Sequence, residues 1–283
     1  MSNRSGARRD DAVRELAETG RPRRAIVNYF DPRYLNVAFF LAFRTMKQES
    51  LTMYLGVVWW FLNPFFMMVV YYFLGTVIFK TRTSNYAAFL LVGLVTWRWA
   101  QSGVTACAGA IKSNIQLLRS TYMPKYVLIL KEALVATQRF LFGFAVLLAF
   151  LYVSMDYSPN WAYIYLPVLF AFQFLLILAA GSFFAPLVPL VPDLQNVLNV
   201  VLSGAMFLSG VLWSRDHLPE QYHVYFDINP LAILIQEYRR ILIDGQPPEL
   251  GLLIWFAALA LAVLAVSHLV LKRLDGILVR IVP

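Results

Sequence analysis

The sequence predicts an all-α membrane protein with six transmembrane helices, an amphipathic interface helix before them and a re-entrant helical hairpin before the last span. Of the 283 residues, 60% are hydrophobic and 14% are charged, whereas roughly a quarter of the residues in an ordinary soluble domain are charged. Several apolar runs reach the ~20 residues that a helix needs to cross the hydrocarbon layer. These runs are continuous, whereas the strands of a membrane β-barrel alternate apolar and polar residues.

The chain begins with a polar, basic segment followed by an amphipathic one. Residues 1–30 have no apolar periodicity, which predicts a mobile cytoplasmic tail, and no apolar h-region follows to make them a secretory signal. Residues 31–50 predict a helix lying along the inner membrane surface, with Arg44 and Lys47 beside its apolar stripe. A simple extension of the first span is the other interpretation of this segment. The stripe consists of Leu35, Ala38, Phe39, Ala42, Phe43 and Met46.

Residues 51–283 predict one six-span domain, because apolar runs alternate with helix breakers. Pro186, Pro189 and Pro192 interrupt the end of the fourth run, and Asp193 fits the N-cap position of the fifth. The predicted spans are Tyr54–Phe79, Tyr86–Ala108, Thr137–Met155, Trp161–Val188, Leu194–Leu212 and Leu250–Leu271.

The distribution of Lys and Arg predicts the orientation, because basic residues are enriched in cytoplasmic segments. With both termini in the cytoplasm, the inner segments 1–50, 110–131 and 272–283 hold 10, 4 and 3 basic residues. The outer segments 80–85 and 213–249 hold 2 and 3. Ten of the 24 basic residues precede Ser50, so the net charge of +8 reflects this bias and does not indicate nucleic-acid binding.

Two segments between spans predict short helices. Ala110–Lys131, on the inner side, contains a stretch that can form a helix ending before Pro124; it is either the surface on which a soluble motor acts or an ordinary connecting turn. On the outer side, Asn229 is a good N-cap, Pro230 suits the first helical position and Gly245 can end the helix. The intervening apolar stretch is too short to span, which predicts a re-entrant element that lids a pore.

The sequence contains no recognisable catalytic or metal-binding motif. Glycine is never followed by lysine, so no phosphate-binding P-loop for ATP is present, and His217, His223 and His268 form no cluster with other ligands. Cys107 lies in an apolar run and is interpreted as a packing residue. None of the 16 Asp and Glu residues lies deep in a predicted span, whereas proton-coupled transport usually requires such an acid. These features favour a transport protein with an external energy source over an enzyme.

One charge is predicted to lie deep in the membrane. Arg98 lies near the middle of the second span, between Trp97 and Trp99, where an arginine normally faces a bundle interior, a partner or water. It either binds an anionic part of a substrate or stabilises the bundle through backbone carbonyls or by stacking on one of the two tryptophans. Arg139, by contrast, can extend to the inner surface.

Aromatic residues make up 16% of the chain and concentrate in the first span. Aromatic faces can stack on sugar rings and tolerate sliding, although packing against lipid explains most such residues individually. A polar stripe on the fifth span either faces a water-filled path or bonds to a neighbouring helix. The candidate conduit residues are Tyr54, Trp59, Trp60, Asn63, Phe66, Tyr71, Arg98, Asn196, Asn199 and Ser203.

Four stretches in order resemble the permeases of ABC exporters of O-antigen, capsule and teichoic acid, which are ABC-2 type proteins. Tyr54–Pro64 resembles the start of their first span and Leu91–Trp97 their second span. Ser113-Asn114, Leu117-Leu118 and Met123-Pro124-Lys125 resemble their inner loop, and Asn229-Pro230-Leu231 with Arg239 and Gly245 resembles their outer hairpin. The resemblance runs from about residue 34 to the C-terminus. The chain departs from the pattern of this family in three places: Arg98, the Tyr-Met-Pro-Lys sequence of the inner loop, and the basic N-terminal tail. These departures leave the identity of the substrate undetermined.

The resemblance implies a homodimeric permease in the bacterial cytoplasmic membrane, paired with two copies of a separate ATPase that binds ATP and Mg. A lipid-linked polysaccharide would pass through a conduit lined by the first and fifth spans. The residues implied to couple to the ATPase are Ser113, Asn114, Leu117, Leu118, Arg119 and Lys125. Those implied to form the outer gate are Trp213, Tyr222, Asn229, Pro230 and Arg239.

Three other functions remain as alternatives. An ABC permease for a small hydrophobic drug or lipid would have fewer conduit aromatics. An ion-coupled secondary transporter would carry intramembrane acids and inverted repeats. A membrane-bound glycan-handling enzyme would need an acid pair or a metal site.

Overall fold

The computed structural model describes residues 32–52, 58–78, 85–120, 123–155 and 160–281. Within these ranges every regular element is helical. The predicted tail 1–30 and Tyr54 lie outside them. The α-helices are α1 Pro32–Thr52, α2 Val58–Phe73, α3 Tyr86–Ser113, α4 Ile115–Ser120, α5 Lys125–Met155, α6 Leu166–Phe184, α7 Leu194–Leu208, α8 His223–Asp227, α9 Pro230–Leu242 and α10 Leu250–Ile281. A π-helical turn, Leu74–Ile78, extends α2, and the 3-10 turn Trp161–Tyr165 precedes α6.

The long helix α3 lies at the centre of the unit formed by residues 36–283. It packs against α2, α5, α6, α7 and α9, and most of its side chains are buried. Glycines allow the close approach of α3 and α6: a Cβ on Gly103 would come within 2.7 Å of Ile177, and one on Gly181 within 2.2 Å of the Cβ of Cys107. Small residues at such contacts are typical of helices that pack tightly in membranes.

An aromatic cluster joins four helices in the core. The rings of Trp99 on α3 and Phe140 on α5 stack with centroids 4.0 Å apart. Phe170 on α6 meets Phe140 and Phe144 edge to face, at 5.3 and 5.0 Å, and Tyr238 on α9 lies 6.1 Å from Phe170. Edge-to-face pairs of this kind are favoured by the ring quadrupoles. The cluster therefore ties α9 to the helices around α3.

Within the described ranges, three helices are long and apolar enough to cross a membrane: Lys125–Val153, Trp161–Phe184 and Leu250–Arg273. The apolar helices at Phe65–Val77 and Leu194–Leu208 are shorter. Helix α3 is 28 residues long but is interrupted by polar side chains, which lowers its mean hydropathy. The count of six spans therefore remains a prediction.

Several predicted boundaries shift in the structure. Helix α5 begins at Lys125, well before the predicted start at Thr137, because the residues after Pro124 continue the same helix without a breaker. Helix α6 ends at Phe184, before the predicted end of the span at Val188, because Pro186 and the prolines after it interrupt the helix. Asp193 does occupy the N-cap position of α7, but the prediction that its side chain caps the helix is wrong. Its backbone is already helical and its carboxylate makes no cap hydrogen bond.

Candidate functional site

Arg98 lies between two cavities that open on either side of α2. Its side chain is exposed although it projects from the middle of the otherwise buried helix α3. Arg98 of α3 and Asn63 of α2 border both cavities. These two polar side chains therefore form the wall that the cavities share between α2 and α3. Among the described residues, neither side chain has a hydrogen-bond or ion-pair partner. The arrangement leaves a positive charge at the shared wall of the two cavities.

The first cavity, of about 490 Å³, lies between α2, α3 and α5. Its wall combines two arginines, two tryptophans and small polar residues, so it can contact both charged and apolar groups. The second cavity, of about 250 Å³, lies between α2, α3 and α7. The first is lined by Trp59, Asn63, Val95, Arg98, Trp99, Ser102, Ala136, Arg139, Phe140 and Gly143, and the second by Asn63, Met67, Tyr71, Leu94, Trp97, Arg98, Gln101, Ser203, Met206 and Phe207.

Polar side chains connect α3 to α7. Gln101 Nε2 donates to Ser203 Oγ at 3.0 Å, and Thr105 Oγ1 donates to Asn199 Oδ1 at 3.1 Å. For Asn199 and Ser203 the structure therefore favours the interhelical interpretation of the polar stripe. Asn196, one turn earlier, is exposed and bonds to none of the described residues. Gln101 and Thr105 were missed by the sequence interpretation, although their spacing of four places them on one face of α3.

The predicted conduit residues of α2 divide between cavity walls and outer surface. Trp59 borders the first cavity and Tyr71 the second, where the Tyr71 ring meets Phe207 of α7 edge to face at 6.3 Å. Phe66 is exposed on another side of the helix, away from both cavities. Trp60 belongs to α2, but its side chain lies outside the described part of the chain.

Helix α9 begins as the sequence predicts. The Asn229 side-chain oxygen accepts hydrogen bonds from the backbone N–H groups of Leu231 and Ala232, at 3.1 and 3.4 Å, and Pro230 occupies the first helical position. The amide of Asn229 also donates to Ser209 Oγ at 2.8 Å. One side chain therefore caps α9 and fastens it to the end of α7.

Arg239 is buried at the junction of α9, α3 and the end of α7. Its Nη1 donates to the carbonyl oxygen of Gly210 at 2.7 Å, and its Nη2 donates to those of Val211 at 2.8 Å and Phe89 at 3.1 Å. The guanidinium carbon lies 3.3 Å from the centroid of the Phe89 ring. Backbone carbonyls and a ring face thus take the place of an acidic partner, and the side chain fixes α9 in position.

The other predicted gate residues lie between α7 and α9. Trp213 Nε1 donates to the carbonyl oxygen of Phe207 at 2.8 Å, and its ring lies 5.6 Å from that of Phe226. Tyr222 is exposed beside Tyr225 at a shallow apolar cavity that also borders Trp213. Trp213 and Tyr222 therefore border an apolar surface, unlike the buried Arg239.

The predicted coupling residues lie around the short helix α4. Ser113 and Arg119 are exposed, and the Asn114 amide donates to the carbonyl oxygen of Ala110 at 2.8 Å, where α3 ends. Leu118 is buried and Leu117 partly buried, which makes them packing residues of this corner. Lys125 is also buried, at the start of α5.

Two further charged contacts were not anticipated from the sequence. Arg139 on α5 makes a two-point hydrogen-bonded ion pair with Glu49 of α1, so it does not simply extend to the surface. Glu237 on α9 is buried and accepts a hydrogen bond from the backbone N–H of Glu249 at 2.8 Å. Glu49 and Arg139 lie 90 residues apart and Glu237 and Glu249 lie 12 apart, and neither pairing follows a local sequence pattern.

The chain is similar to several exporter proteins at modest identity. It is 25% identical over 226 residues to the O-antigen export system permease protein RfbA of Klebsiella pneumoniae, covering 79% of this chain and 87% of that protein. It is 26% identical over 236 residues to a protein of the same name from Myxococcus xanthus, covering 82% and 90%. It is 24% identical over 197 residues to the polysialic acid transport protein KpsM of Escherichia coli, covering 69% and 76%.

Residues 37–243 match the family described as ABC-2 type transporter. The matched region runs from α1 through α9, so it includes both cavities, the α3–α7 contacts and the Arg239 junction. It accounts for more than half of the 283 residues. The chain belongs to the ABC-2 type transporter family.

Proposed function

We propose that this chain is the membrane subunit of an ATP-driven exporter that moves a lipid-linked polysaccharide across the bacterial cytoplasmic membrane. The observation that carries the proposal is the similarity to O-antigen and polysialic acid export proteins over most of the chain, within a family match from 37 to 243. The aromatic and polar walls of the cavities on either side of α2 are consistent with a carbohydrate cargo. Trp59 and Asn63 together offer a stacking face and a hydrogen-bonding amide.

In this proposal the chain has six spans, formed by α2, α3, α5, α6, α7 and α10, with both termini in the cytoplasm. Helix α1 lies along the inner membrane surface. Support for this position comes from the exposed Phe39, Phe40 and Phe43 on one side of α1 and from Arg44, whose guanidinium lies 4.8 Å from the Phe40 ring. An aromatic face beside basic side chains is typical of interfacial helices.

Two copies of the chain form the conduit, with α2 and α7 of each copy lining it. Support comes from the exposed apolar side of α7, which includes Val197, Val200 and Val201, and from the exposed polar side chain of Asn196 beside it. The short helix α9 re-enters the outer membrane surface as part of the gate. Asn229, Pro230 and Arg239 anchor this gate, and Trp213 and Tyr222 form its apolar face.

Two copies of a separate ATPase subunit bind ATP and Mg and act on the corner formed by α4. Gln116, Arg119 and Ser120 are exposed along this helix, whereas Leu118 is buried on its other side. A partner docked there would push on the exposed residues, and the buried leucine would transmit the movement to the bundle. Ser113 and Asn114, at the break between α3 and α4, form the hinge of this element.

The experiment that tests this proposal is co-expression of the chain with the ATPase subunit of its own locus, followed by purification and measurement of ATP hydrolysis. We expect a stable complex whose hydrolysis rate changes in Gln116→Ala and Arg119→Ala, because both side chains face the proposed partner. Export is measured in cells that make the lipid-linked glycan but lack their own permease. These cells display the glycan at the surface only when both subunits are present.

Different results favour different functions. A chain that captures no ATPase in mild detergent or nanodiscs contradicts the proposal and favours an ion-coupled transporter. A complex that hydrolyses ATP but responds to small hydrophobic compounds and leaves the glycan inside the cell favours a drug or lipid permease.

A further inference from the structure

We propose that Arg98 and Asn63 form a subsite for the phosphate group of the lipid-linked substrate, at the wall shared by the two cavities beside α2. This inference rests on the proposed export function and specifies which part of the substrate the site takes. It starts from the position of Arg98, which lies roughly 18 Å along α3 from its start at Tyr86 at 1.5 Å per residue, far from either end of that helix.

The interactions of Arg98 separate the two interpretations that the sequence left open. Trp99 stacks on Phe140 at 4.0 Å, and the guanidinium of Arg98 contacts no ring and donates to no carbonyl among the described residues. The other deep arginine, Arg239, shows what a structural arginine looks like in this fold. It is buried, with three carbonyl oxygens and the face of Phe89 around it. Arg98 is exposed to two cavities and has none of these partners.

The surroundings of Arg98 are rich in donors and poor in acidic acceptors. Arg139 borders the first of its cavities and adds a second guanidinium there, on the side where Glu49 is already occupied by a two-point ion pair. The buried indole N–H groups of Trp97 and Trp99, which flank Arg98 in sequence, have no acceptor within the described structure. The exposed Arg98 is thus the donor that an anion in the cavities can reach, and its guanidinium can bind two anion oxygens at once.

The helices that line the first cavity carry almost no acidic side chains. No Asp or Glu occurs between residues 50 and 131 or between 133 and 155, which covers α2, α3 and nearly all of α5. Glu49 is paired with Arg139, and Glu132 lies beside Lys131 at 2.7 Å. Among the described residues, no acid therefore borders either cavity, and a bound anion would supply the counter-charge for Arg98.

The openings of the cavities favour a lipid-borne phosphate over a soluble anion. Met67 of α2 borders the second cavity and is exposed, and Phe66 and Val70 add exposed apolar surface elsewhere on the same helix. A polyprenyl chain can lie along this apolar surface while its phosphate reaches Arg98 and the amide of Asn63. A soluble anion would have to enter the middle of a predicted span without an apolar carrier.

The test is equilibrium binding of a radiolabelled long-chain polyprenyl diphosphate to the complete transporter, this chain with its ATPase subunit, in phosphatidylcholine nanodiscs. The zwitterionic lipid avoids competition by anionic headgroups, and the matching polyprenol reports the contribution of the chain alone. Arg98→Gln is expected to weaken diphosphate binding on the order of 10-fold or more, and Arg98→Lys by less, because a point charge remains without the planar fork. Neither variant should change polyprenol binding.

Two further variants keep the result interpretable. Asn63→Asp retains Arg98 but places a carboxylate at the wall shared by both cavities, so it is expected to weaken diphosphate binding. This variant tests the subsite independently of whether Arg98→Gln folds. Arg44→Gln removes one positive charge from α1, away from both cavities, and should bind diphosphate as the wild type does. Retention of wild-type diphosphate affinity by both Arg98→Gln and Asn63→Asp overturns the inference.

The source of the anion is distinguished by competition. Displacement of the lipid by inorganic diphosphate at equal concentration identifies a soluble-anion site and overturns the lipid assignment. Loss of affinity for an acidic oligosaccharide in Arg98→Gln, with polyprenyl diphosphate binding unchanged, assigns the site to the glycan and also overturns it. Capture of the ATPase by wild-type protein is scored separately, so that failure of the export proposal and failure of the subsite give different results.

Discussion

The guanidinium of Arg239 donates a hydrogen bond of 2.7 Å to the backbone carbonyl oxygen of Gly210, joining α9 to the turn that ends α7. Gly210 has a positive φ of 64°, the left-handed conformation that commonly ends a helix. The turn leaves the carbonyls of Gly210 and Val211 without helical partners, and Arg239 satisfies both. The proposed outer gate is thus fastened by an arginine that bonds to backbone, with no acidic side chain needed at that depth.

Arg239→Met is expected to destabilise the protein, because the carbonyl oxygens of Gly210, Val211 and Phe89 lose their donor while remaining largely buried. We expect a loss of about 2–4 kcal/mol, and a smaller loss for Arg239→Lys, whose ammonium cannot span all three acceptors. The measurement is the Tm of the purified protein, followed by intrinsic fluorescence. The matched control is Arg240→Gln, one residue along the same helix. Its ion pair with the exposed Glu249 contributes about 1 kcal/mol or less. Equal Tm values for the two variants would contradict the role of Arg239.

Gly93→Ala tests the same junction from α3. A Cβ at this position would lie 2.6 Å from Nη2 of Arg239 and 3.2 Å from the carbonyl oxygen of Val211. The guanidinium cannot move aside without losing its carbonyl partners, so we expect a lower Tm, with a cost of about 1–3 kcal/mol. Gly143→Ala on α5 is the control, since nothing lies within 4 Å of its new Cβ. It should be neutral or stabilising because alanine favours the helix.

The sequence predicted local features of this fold better than long-range ones. Asn229, Pro230 and the bounds of α9 follow from capping preferences that act within one turn. The prolines after α6 likewise predict where that helix ends. By contrast, the Asp193 side chain does not cap α7, because its backbone already has helical angles. A preference for a position does not ensure the hydrogen bond.

The candidate site was predicted in its residue types but not in its geometry. Arg98 was identified as a charge deep in a predicted span, and Trp59 and Asn63 were identified in the aromatic-rich first span. The grouping of these residues around two cavities depends on how α2 packs against α3. The periodicity of a single helix does not predict that packing. Burial separates residues that appeared equivalent in the sequence: Leu118 is a packing residue and Arg119 an exposed one. Likewise, Arg239 is structural, whereas Arg98 opens onto cavities.

The ion pair between Glu49 and Arg139 is expected to hold α1 against α5. Both side chains are about one-third exposed, at 32% and 33%, so we expect Glu49→Gln or Arg139→Gln to cost about 1 kcal/mol. A double-mutant cycle with the charge-reversed pair Glu49→Arg and Arg139→Glu measures the interaction directly. The reversed pair should recover part of the loss. Additive effects with no recovery would show that the two side chains act independently.

Asn199 and Asn196 are predicted to act differently although they lie one turn apart on α7. Asn199 accepts a hydrogen bond from Thr105, and such interhelical bonds in membranes contribute about 0.6 kcal/mol, up to about 1.7. Asn199→Val should therefore lower the Tm slightly, and Thr105→Val should have little further effect in the Asn199→Val background. Asn196→Val leaves no described partner unsatisfied and should not lower the Tm. If Asn196 lines the conduit, the same variant reduces surface glycan in the export assay while Tm stays at the wild-type value. Unchanged export and Tm in Asn196→Val would remove this residue from the proposed conduit.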